Sequence, residues 1–351
     1  MAITRHLAEF VLAEHRLRKI TGQVLLLGRQ TVFMTPAQAE QLVERCGVAL
    51  RPERRIEYDK MPYGREQQFI SDVSFFSLFS DAQVVACDVS DAECADIIFS
   101  LSDDPPASMV GAYDFIYNGS VLDNVFDPAA CARNISRMLK PDGVVFHYEG
   151  ASHFNPAYLK FTPDWLFDYY AVNGFADFQG YLCLCSDVHA APWRVFEWSA
   201  YHQANASLTL TMPMKYASDG MVVAVAQNSP ASTLSETPIQ NIYRQDQQKY
   251  QAAFARFASS PRRAALRQMV SSKTGKSEGA TAIGGDHRAA SWRDRLHRLA
   301  SGTQLKSFVP IEFKKFAKRL LEGQSHSQSR SPQSPPAEVV TPGHVFLGTV
   351  G

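Results

Sequence analysis

The sequence predicts an α/β fold: a doubly wound, mostly parallel sheet of seven strands with an antiparallel edge, followed by a basic C-terminal tail, partly helical and partly disordered. Three observations predict it. Strand-length apolar runs alternate with helical periodicity up to about residue 228, and runs apolar on both faces belong to a parallel sheet covered by helices on two sides. The last two runs before that point alternate with period two, as an antiparallel pair does. Beyond it the composition turns to Ser, Gly, Pro and Gln.

The elements follow in order. Residues 5–19 set Leu7, Phe10, Val11, Ala13 and Leu17 near a 3.6-residue period, which is an amphipathic helix. The first strand is 24–27, closed by Gly28. Thr35 and Pro36 are the N-cap and first-turn proline of a helix that runs to about Cys46 and stops at Gly47. After the polar stretch from Arg51 to Gln68 comes a second strand, 84–87, ending at Asp88. A third, 96–101, is ended by Asp103-Asp104-Pro105-Pro106, and a fourth, 113–117, by Asn118-Gly119-Ser120. A helix over 128–139 and the turn Lys140-Pro141-Asp142-Gly143 lead to the fifth strand, 144–148. A helix from Thr162 to Asn173-Gly174 precedes a sixth run, 178–185. Segments 208–212 and 221–225 then form a hairpin through Ser218-Asp219-Gly220.

Residues 1–228 are expected to make one domain, with its N-terminal helix and an insert over 48–81, and residues 229–351 the tail. The formal net charge of zero divides across this boundary. Residues 1–228 hold 17 Lys+Arg and 27 Asp+Glu, a net of −10, and residues 229–351 hold 18 and 8, a net of +10. The low-complexity stretches 228–238, 271–286 and 324–336 lack the large apolar residues that would offset chain entropy, and read as linkers. Helical periodicity is visible at 239–257 and 310–321. The second places Ile311, Phe313, Phe316 and Leu320 among Lys314, Lys315, Lys318 and Arg319. Such a basic amphipathic helix suits a partner groove, an anionic membrane surface or the acidic body of the chain itself. Basic and aromatic residues do not interleave on a recognised nucleic-acid-binding fold, so no nucleic-acid partner is expected.

Six cysteines follow neither paired zinc spacing nor the density of a disulfide scaffold, and no metal site is expected. The first twenty residues are broken by charges, and no run of about 18 apolar residues occurs anywhere, so neither an export signal nor a membrane span is read. The expected location is cytoplasmic. Thr274-Gly275-Lys276-Ser277 imitates the end of a phosphate-binding loop, but Val270 stands where the first glycine is required.

In open sheets of this kind ligands bind beyond the C-terminal strand ends. The residues there are Gly28-Arg29-Gln30, Asp88, Leu101-Ser102, Asn118-Gly119-Ser120 and His147-Tyr148-Glu149. The segment YDFIYNGSVLDNVFDPAACARNISRMLKPDGVVFHYEG (113–150), then FNPAYLKFTPDWLFDYYAVNGF (154–175), resembles the fourth strand to sixth-strand entry of class I S-adenosylmethionine-dependent methyltransferases. The resemblance covers residues 20–228 and implies a Rossmann-like methyltransferase fold with S-adenosylmethionine as cofactor.

The resemblance carries over position by position. The family's first loop reads acid-x-Gly-x-Gly-x-Gly, since backbone without Cβ must approach the methionine part of the cofactor. Here Leu26 replaces the acid and Gly28 alone survives of the glycines. Arg29 then becomes a candidate for the cofactor carboxylate. Asp88 has the place of the carboxylate that accepts the ribose hydroxyls, although it follows Gly28 by 60 residues where about 20 is usual; the insert accounts for the gap. Ser102 falls where the adenine lies. Asn118 and Gly119 face the methyl group and acceptor, with Ser120 able to orient a polar acceptor.

Asp123 is the carboxylate candidate for a base, its alternative being a favourable charge at a helix N-terminus. His147 is the second catalytic candidate, its alternative a structural histidine at a strand end. Trp193, Trp198 and Tyr201 suit either an acceptor pocket or core packing. The function implied is methyl transfer to a small-molecule or sugar-type acceptor. The rival reading is a catalytically inactive scaffold or interaction protein of the same fold, which the eroded glycine loop favours. A dinucleotide oxidoreductase is disfavoured, because G-x-G-x-x-G is missing after the first strand.

Overall fold

A computed structural model describes residues 2–152, 157–189, 192–198, 200, 219–241, 243, 247–262 and 264–265, and the backbone of 345–350. The chain begins with a two-residue strand, β1 (Ala2–Ile3), and the helix α1 (Arg5–Leu17), capped by the Thr4 hydroxyl. Strand β2 (Gln23–Leu27) is followed by β3 (Thr31–Val32), which pairs with β1 in a small parallel sheet. Helix α2 (Pro36–Arg45) starts as expected, with Thr35 and Gln38 forming a reciprocal capping box over Pro36. The insert folds into α3 (Pro62–Glu66), α4 (Asp72–Ser77) and an isolated Tyr58–Ile70 bridge.

Then come β4 (Gln83–Asp88), β5 (Ile97–Ile98), β6 (Tyr113–Gly119), α5 (Pro128–Met138), β7 (Leu139–Gly150), α6 (Pro163–Val172) and β8 (Asp177–Cys185). The described chain closes with β9 (Trp193–Glu197), β10 (Asp219–Gln227), α7 (Gln247–Phe257) and β11 (Val345–Val350).

The main sheet has the order β11-β9-β8-β10-β7-β6-β2-β4-β5. From β5 to β8 it is the expected seven-stranded unit: five strands pair in parallel, and β10 lies antiparallel between β7 and β8. Strands β9 and β11 extend that antiparallel edge. Two local expectations are corrected. The third strand is only two residues long, Ile97–Ile98, and at its start the Asp96 carboxylate accepts the Ala86 amide at 2.8 Å. Asp219 and Gly220 do not form a turn but continue β10 opposite Cys185 and Leu184. Segment 208–212, and with it the other arm of that hairpin, lies outside the described residues. The turn at 140–143 is kept as a left-handed Asp142 (φ 64°) within the long β7.

Alternation along the strands sends side chains to two cores. Val24 and Leu26 of β2 pack with Leu7 and Val11 of α1, Leu42 of α2 and Phe75 and Phe76 of α4. Leu25 and Leu27 pack on the other face with Ile135 of α5, Leu166 and Tyr170 of α6 and Tyr250 and Phe257 of α7. The chain after residue 228 therefore contributes to a core. Asn241 donates its backbone N–H and Nδ2 to Asp168 of α6, at 3.1 and 2.7 Å. Phe167 packs against Phe178, Trp198, Tyr250 and Phe257. Residues 310–321 and the phosphate-loop imitation lie outside the described residues.

Candidate functional site

The C-terminal ends of β2, β4, β6 and β7 meet along one edge, so the residues singled out there come from segments far apart in the chain. At the end of β2, Gly28 takes φ 70°, a conformation that side chains resist, and donates its N–H to the Cys87 carbonyl at 2.7 Å. This bond ties the first loop to the strand that carries Asp88.

Arg29 is buried and fully engaged by groups from other segments. Its Nη1 donates to Asp72 Oδ1 at 3.3 Å, Nη2 to Asp96 Oδ2 at 2.5 Å and Nε to the Cys94 carbonyl at 3.1 Å. Asp72 comes from the first turn of α4, and its second oxygen accepts the Gln30 amide at 2.9 Å. Burial pushes the Asp72 carboxyl up, while Arg29 and the amides of Gln30 and Val73 pull it back. The insert thus supplies a carboxylate to a loop whose strand carries Leu26 in place of an acid. Arg29, Gln30 and Asp72 also border a cavity of about 220 Å³ roofed by Asp59 and Tyr63 of the insert.

Gln30 is 2 % exposed and folds back on its own loop: Nε2 donates to the carbonyls of Leu27 and Gly28, both at 3.0 Å. Its Oε1 is buried without a hydrogen-bond partner, close against Gly119.

Asp88 ends β4 half-buried. Its backbone carbonyl accepts the Phe99 amide at 2.8 Å and Oδ1 accepts the Ser90 amide at 3.2 Å. Oδ2 has no hydrogen-bond donor among the described residues, so an acceptor remains at the place expected of the ribose carboxylate. Ser102 lies exposed in the turn after β5, its amide on the Ser100 hydroxyl at 3.3 Å.

At the ends of β6 and β7 a buried polar chain crosses the sheet. Asn118 and His147 are register neighbours, and both are fully buried. Asn118 Nδ2 donates to His147 Nδ1 at 2.7 Å and to Glu149 Oε1 at 2.6 Å, and Oδ1 accepts the Val121 amide at 3.1 Å. With Nδ1 accepting, His147 carries its proton on Nε2, 2.6 Å from the Tyr170 hydroxyl oxygen. Burial lowers the imidazole pKa to about 3, so the ring is neutral. Glu149 is also fully buried, and desolvation with Asp123 alongside pushes its carboxyl well up, while the hydrogen bond from Asn118 and the Asp123 and Leu122 amides pull it back.

Asp123 is 0 % exposed. Oδ2 accepts from Ser120 Oγ and Oδ1 from Asn124 Nδ2, each at 2.7 Å, and its amide points to Glu149 Oε2 at 3.3 Å. Ser120 holds φ 67°, uncommon for a residue with a side chain, and its amide donates to the Tyr148 carbonyl at 2.7 Å. Ser120 borders a second cavity, of about 590 Å³, whose wall also includes Phe33, Tyr148, Gly150, Asp187 and His189. Asp123 does not reach that cavity directly; Ser120 stands between them.

The edge therefore brings together Gly28, Asp88, Asn118, Gly119 and Asp123. Arg29 is turned into the insert, and His147 is enclosed on the α6 side. Trp193 is buried and stacks on His6 at 4.8 Å, and Trp198 is buried beside Phe167. Tyr201 lies outside the described residues. Sequence reading placed Gln30 at the edge without giving it a role, and missed Asp72 and Tyr170, which carry no local signal. Among the described residues no group of three or more His, Cys, Asp or Glu is placed to hold a metal ion, and no helix is long and apolar enough to cross a membrane.

An S-adenosyl ligand fits these residues at its ribose end, where Asp88 Oδ2 is uncommitted. At the end of β2 the carbonyls of Leu27 and Gly28 are already taken by the Gln30 amide.

No family model matches the chain, and no curated protein matches it. Among solved structures, it is similar to the CMeT domain of the citrinin polyketide synthase: 13% identity over 64% of this chain and 52% of that one, TM-score 0.34. The chain thus spans about half the length of that structure. A SAM-dependent methyltransferase of Thermotoga maritima, titled a possible histamine N-methyltransferase, matches at 13% identity over 64% of this chain and 89% of that one, TM-score 0.33. An O-methyltransferase from a trans-AT polyketide synthase multienzyme of Brevibacillus brevis, in complex with S-adenosyl-L-homocysteine, matches at 10% identity over 76% and 83%, TM-score 0.35. Likenesses of this size say nothing of activity. The strand order stands on its own hydrogen bonds.

Proposed function

We propose that the chain is a S-adenosylmethionine-dependent methyltransferase acting on a small-molecule or sugar-type acceptor. The observation that carries this reading is Asp88. It ends a parallel strand next to the one that Gly28 follows, with one carboxylate oxygen free of described partners at the edge where such sheets bind ligands. In this reading Asp88 holds the ribose hydroxyls, Gly28 gives the ligand bare backbone to approach, and Asn118-Gly119 face its reacting end.

The bound cofactor supplies an electrophilic methyl group on a sulfonium, whose leaving group needs no proton. What the chain must do is align the acceptor and take at most one proton from it. The cavity bordered by Ser120, Tyr148 and Gly150 is the acceptor side. A hydroxyl acceptor there hydrogen-bonds to Ser120, whose own proton is shared with Asp123 at 2.7 Å. Asp123, which accepts from Ser120 Oγ and Asn124 Nδ2, is the carboxylate next to that hydroxyl. His147, neutral and closed in by Asn118 and Tyr170, is a positioning residue that orients Asn118.

Retention of methyl-tritiated S-adenosylmethionine by the full chain, with transfer of label to hydroxylated small acceptors, tests the reading. Failure to retain label at millimolar ligand would sink it. One observation favours the second reading, an inactive scaffold of the same fold: the amide of Gln30 already satisfies the carbonyls of the first loop.

A further inference from the structure

The first loop is closed by one side chain. Gln30 Nε2–H₂ gives both of its protons to backbone carbonyls, Leu27 O and Gly28 O, each at 3.0 Å. Those two oxygens belong to the last residue of β2 and to the glycine that follows it. The other half of the amide gains nothing: Oε1 is buried and meets no donor. It rests where only a glycine can lie opposite, since a Cβ on Gly119 would stand 2.3 Å from Oε1 and 2.7 Å from the Tyr117 ring. A buried carbonyl oxygen left without a donor is a standing cost, so this arrangement is favourable at one end and unfavourable at the other.

Two carbonyls converging on one nitrogen is also the recognition chemistry of an alkylammonium. An ammonium carries three donors and a full charge, and its hydrogen bonds to the same oxygens are stronger than those of a neutral amide. We propose that Gln30 occupies the ammonium subsite of the edge and sets the affinity for ligands that carry an α-amino group, leaving the two carbonyls when such a ligand enters. The inference rests on the methyltransferase reading for the identity of the ligand. Leaving the loop also frees Oε1 from its donorless position. Gly119 is then what allows the closed arrangement, and the Asp72 carboxylate, which holds the Gln30 backbone amide at 2.9 Å, keeps the backbone in place while the side chain moves.

The test compares two probes on the full chain by isothermal titration: S-adenosylhomocysteine, which has the amino-acid part, and 5′-methylthioadenosine, which has the nucleoside and thioether without it. Gln30→Ala is expected to bind S-adenosylhomocysteine about tenfold more tightly than the parent, the scale of one displaced hydrogen-bonding group, with methylthioadenosine affinity unchanged. An unchanged or weaker affinity for S-adenosylhomocysteine overturns it, and so does an equal gain for both probes, which would mean a generally loosened edge. If neither parent nor variant binds S-adenosylhomocysteine, the methyltransferase reading fails and this inference falls with it. Gln30→Ser gives the same comparison should the alanine variant not fold.

Discussion

Arg262 grips Glu14 from 248 positions away in the chain. Its Nε and Nη2 donate to the two carboxylate oxygens of Glu14 at 2.9 and 2.7 Å, while Nη1 reaches Asp177. All three side chains are buried or nearly so. The guanidinium therefore fastens the segment after α7 to α1 and to the first residue of β8.

Replacing Arg262 by Met leaves two carboxylates without their cation in a low-dielectric site. The expected loss is about 3–5 kcal/mol, read from urea unfolding, because removing one partner of a buried pair costs more than the pair itself contributes. Arg262→Lys should recover part of it, since one ammonium cannot make the two-pronged contact. A midpoint unchanged in Arg262→Met would show that the pair is not formed.

A chain ended after residue 228 would lose Arg262 together with Tyr250 and Phe257, which pack on Phe167. Uncovering two large aromatic contacts costs about 1.5–3 kcal/mol each by area alone. The truncated chain is expected to bind a hydrophobic dye and to unfold without a sharp transition. A cooperative melt at the full-length temperature would refute this.

Asp72→Ala removes from the first loop both a partner of buried Arg29 and the acceptor of the Gln30 amide. Arg29 keeps Asp96, so the expected destabilisation is about 2 kcal/mol, the scale of a hydrogen bond to a charged group. The same variant should weaken S-adenosylmethionine binding if the loop must be held in place. An unaltered urea midpoint would remove Asp72 from the account.

His147 gives a pH signature. Its pKa falls to about 3 in the folded chain and is near 6.5 when unfolded, so between these values the unfolded state binds the extra proton. Stability from this group is complete above the unfolded pKa and declines as pH falls through 6.5. From pH 7 to pH 5 the loss is about 2 kcal/mol. His147→Gln has no such proton, and its urea midpoint should fall less over the same interval. Parallel declines in the two proteins would contradict the neutral, enclosed imidazole.

The strands were legible because each carries its own apolar signature: Val24 to Leu27 feed two cores by simple alternation, and Thr35-Pro36 announce α2 by cap chemistry alone. The site was legible where a residue ends a strand, as Asp88, Asn118 and Gly119 do. It was not legible where function depends on a partner set by tertiary contact. Asp72 meets Arg29 from 43 positions away, and nothing in either neighbourhood marks the pair. Asp123 and His147 were recognisable by residue type, but type says nothing of enclosure. Only the packed edge shows Ser120 between Asp123 and the acceptor cavity, and Tyr170 closing His147 from α6.

The central claim is that the edge formed by Gly28, Asp88 and Asn118-Gly119 binds the methyl donor. The most direct measurement is a calorimetric titration of S-adenosylmethionine into the full chain and into Asp88→Ala side by side. The account predicts one saturable site in the parent and an affinity at least about tenfold lower in the variant, the loss expected when a carboxylate no longer accepts ligand hydroxyls. Equal affinity in the two proteins would contradict the ribose assignment, and the absence of heat and of any thermal shift at millimolar ligand would contradict the methyltransferase reading itself.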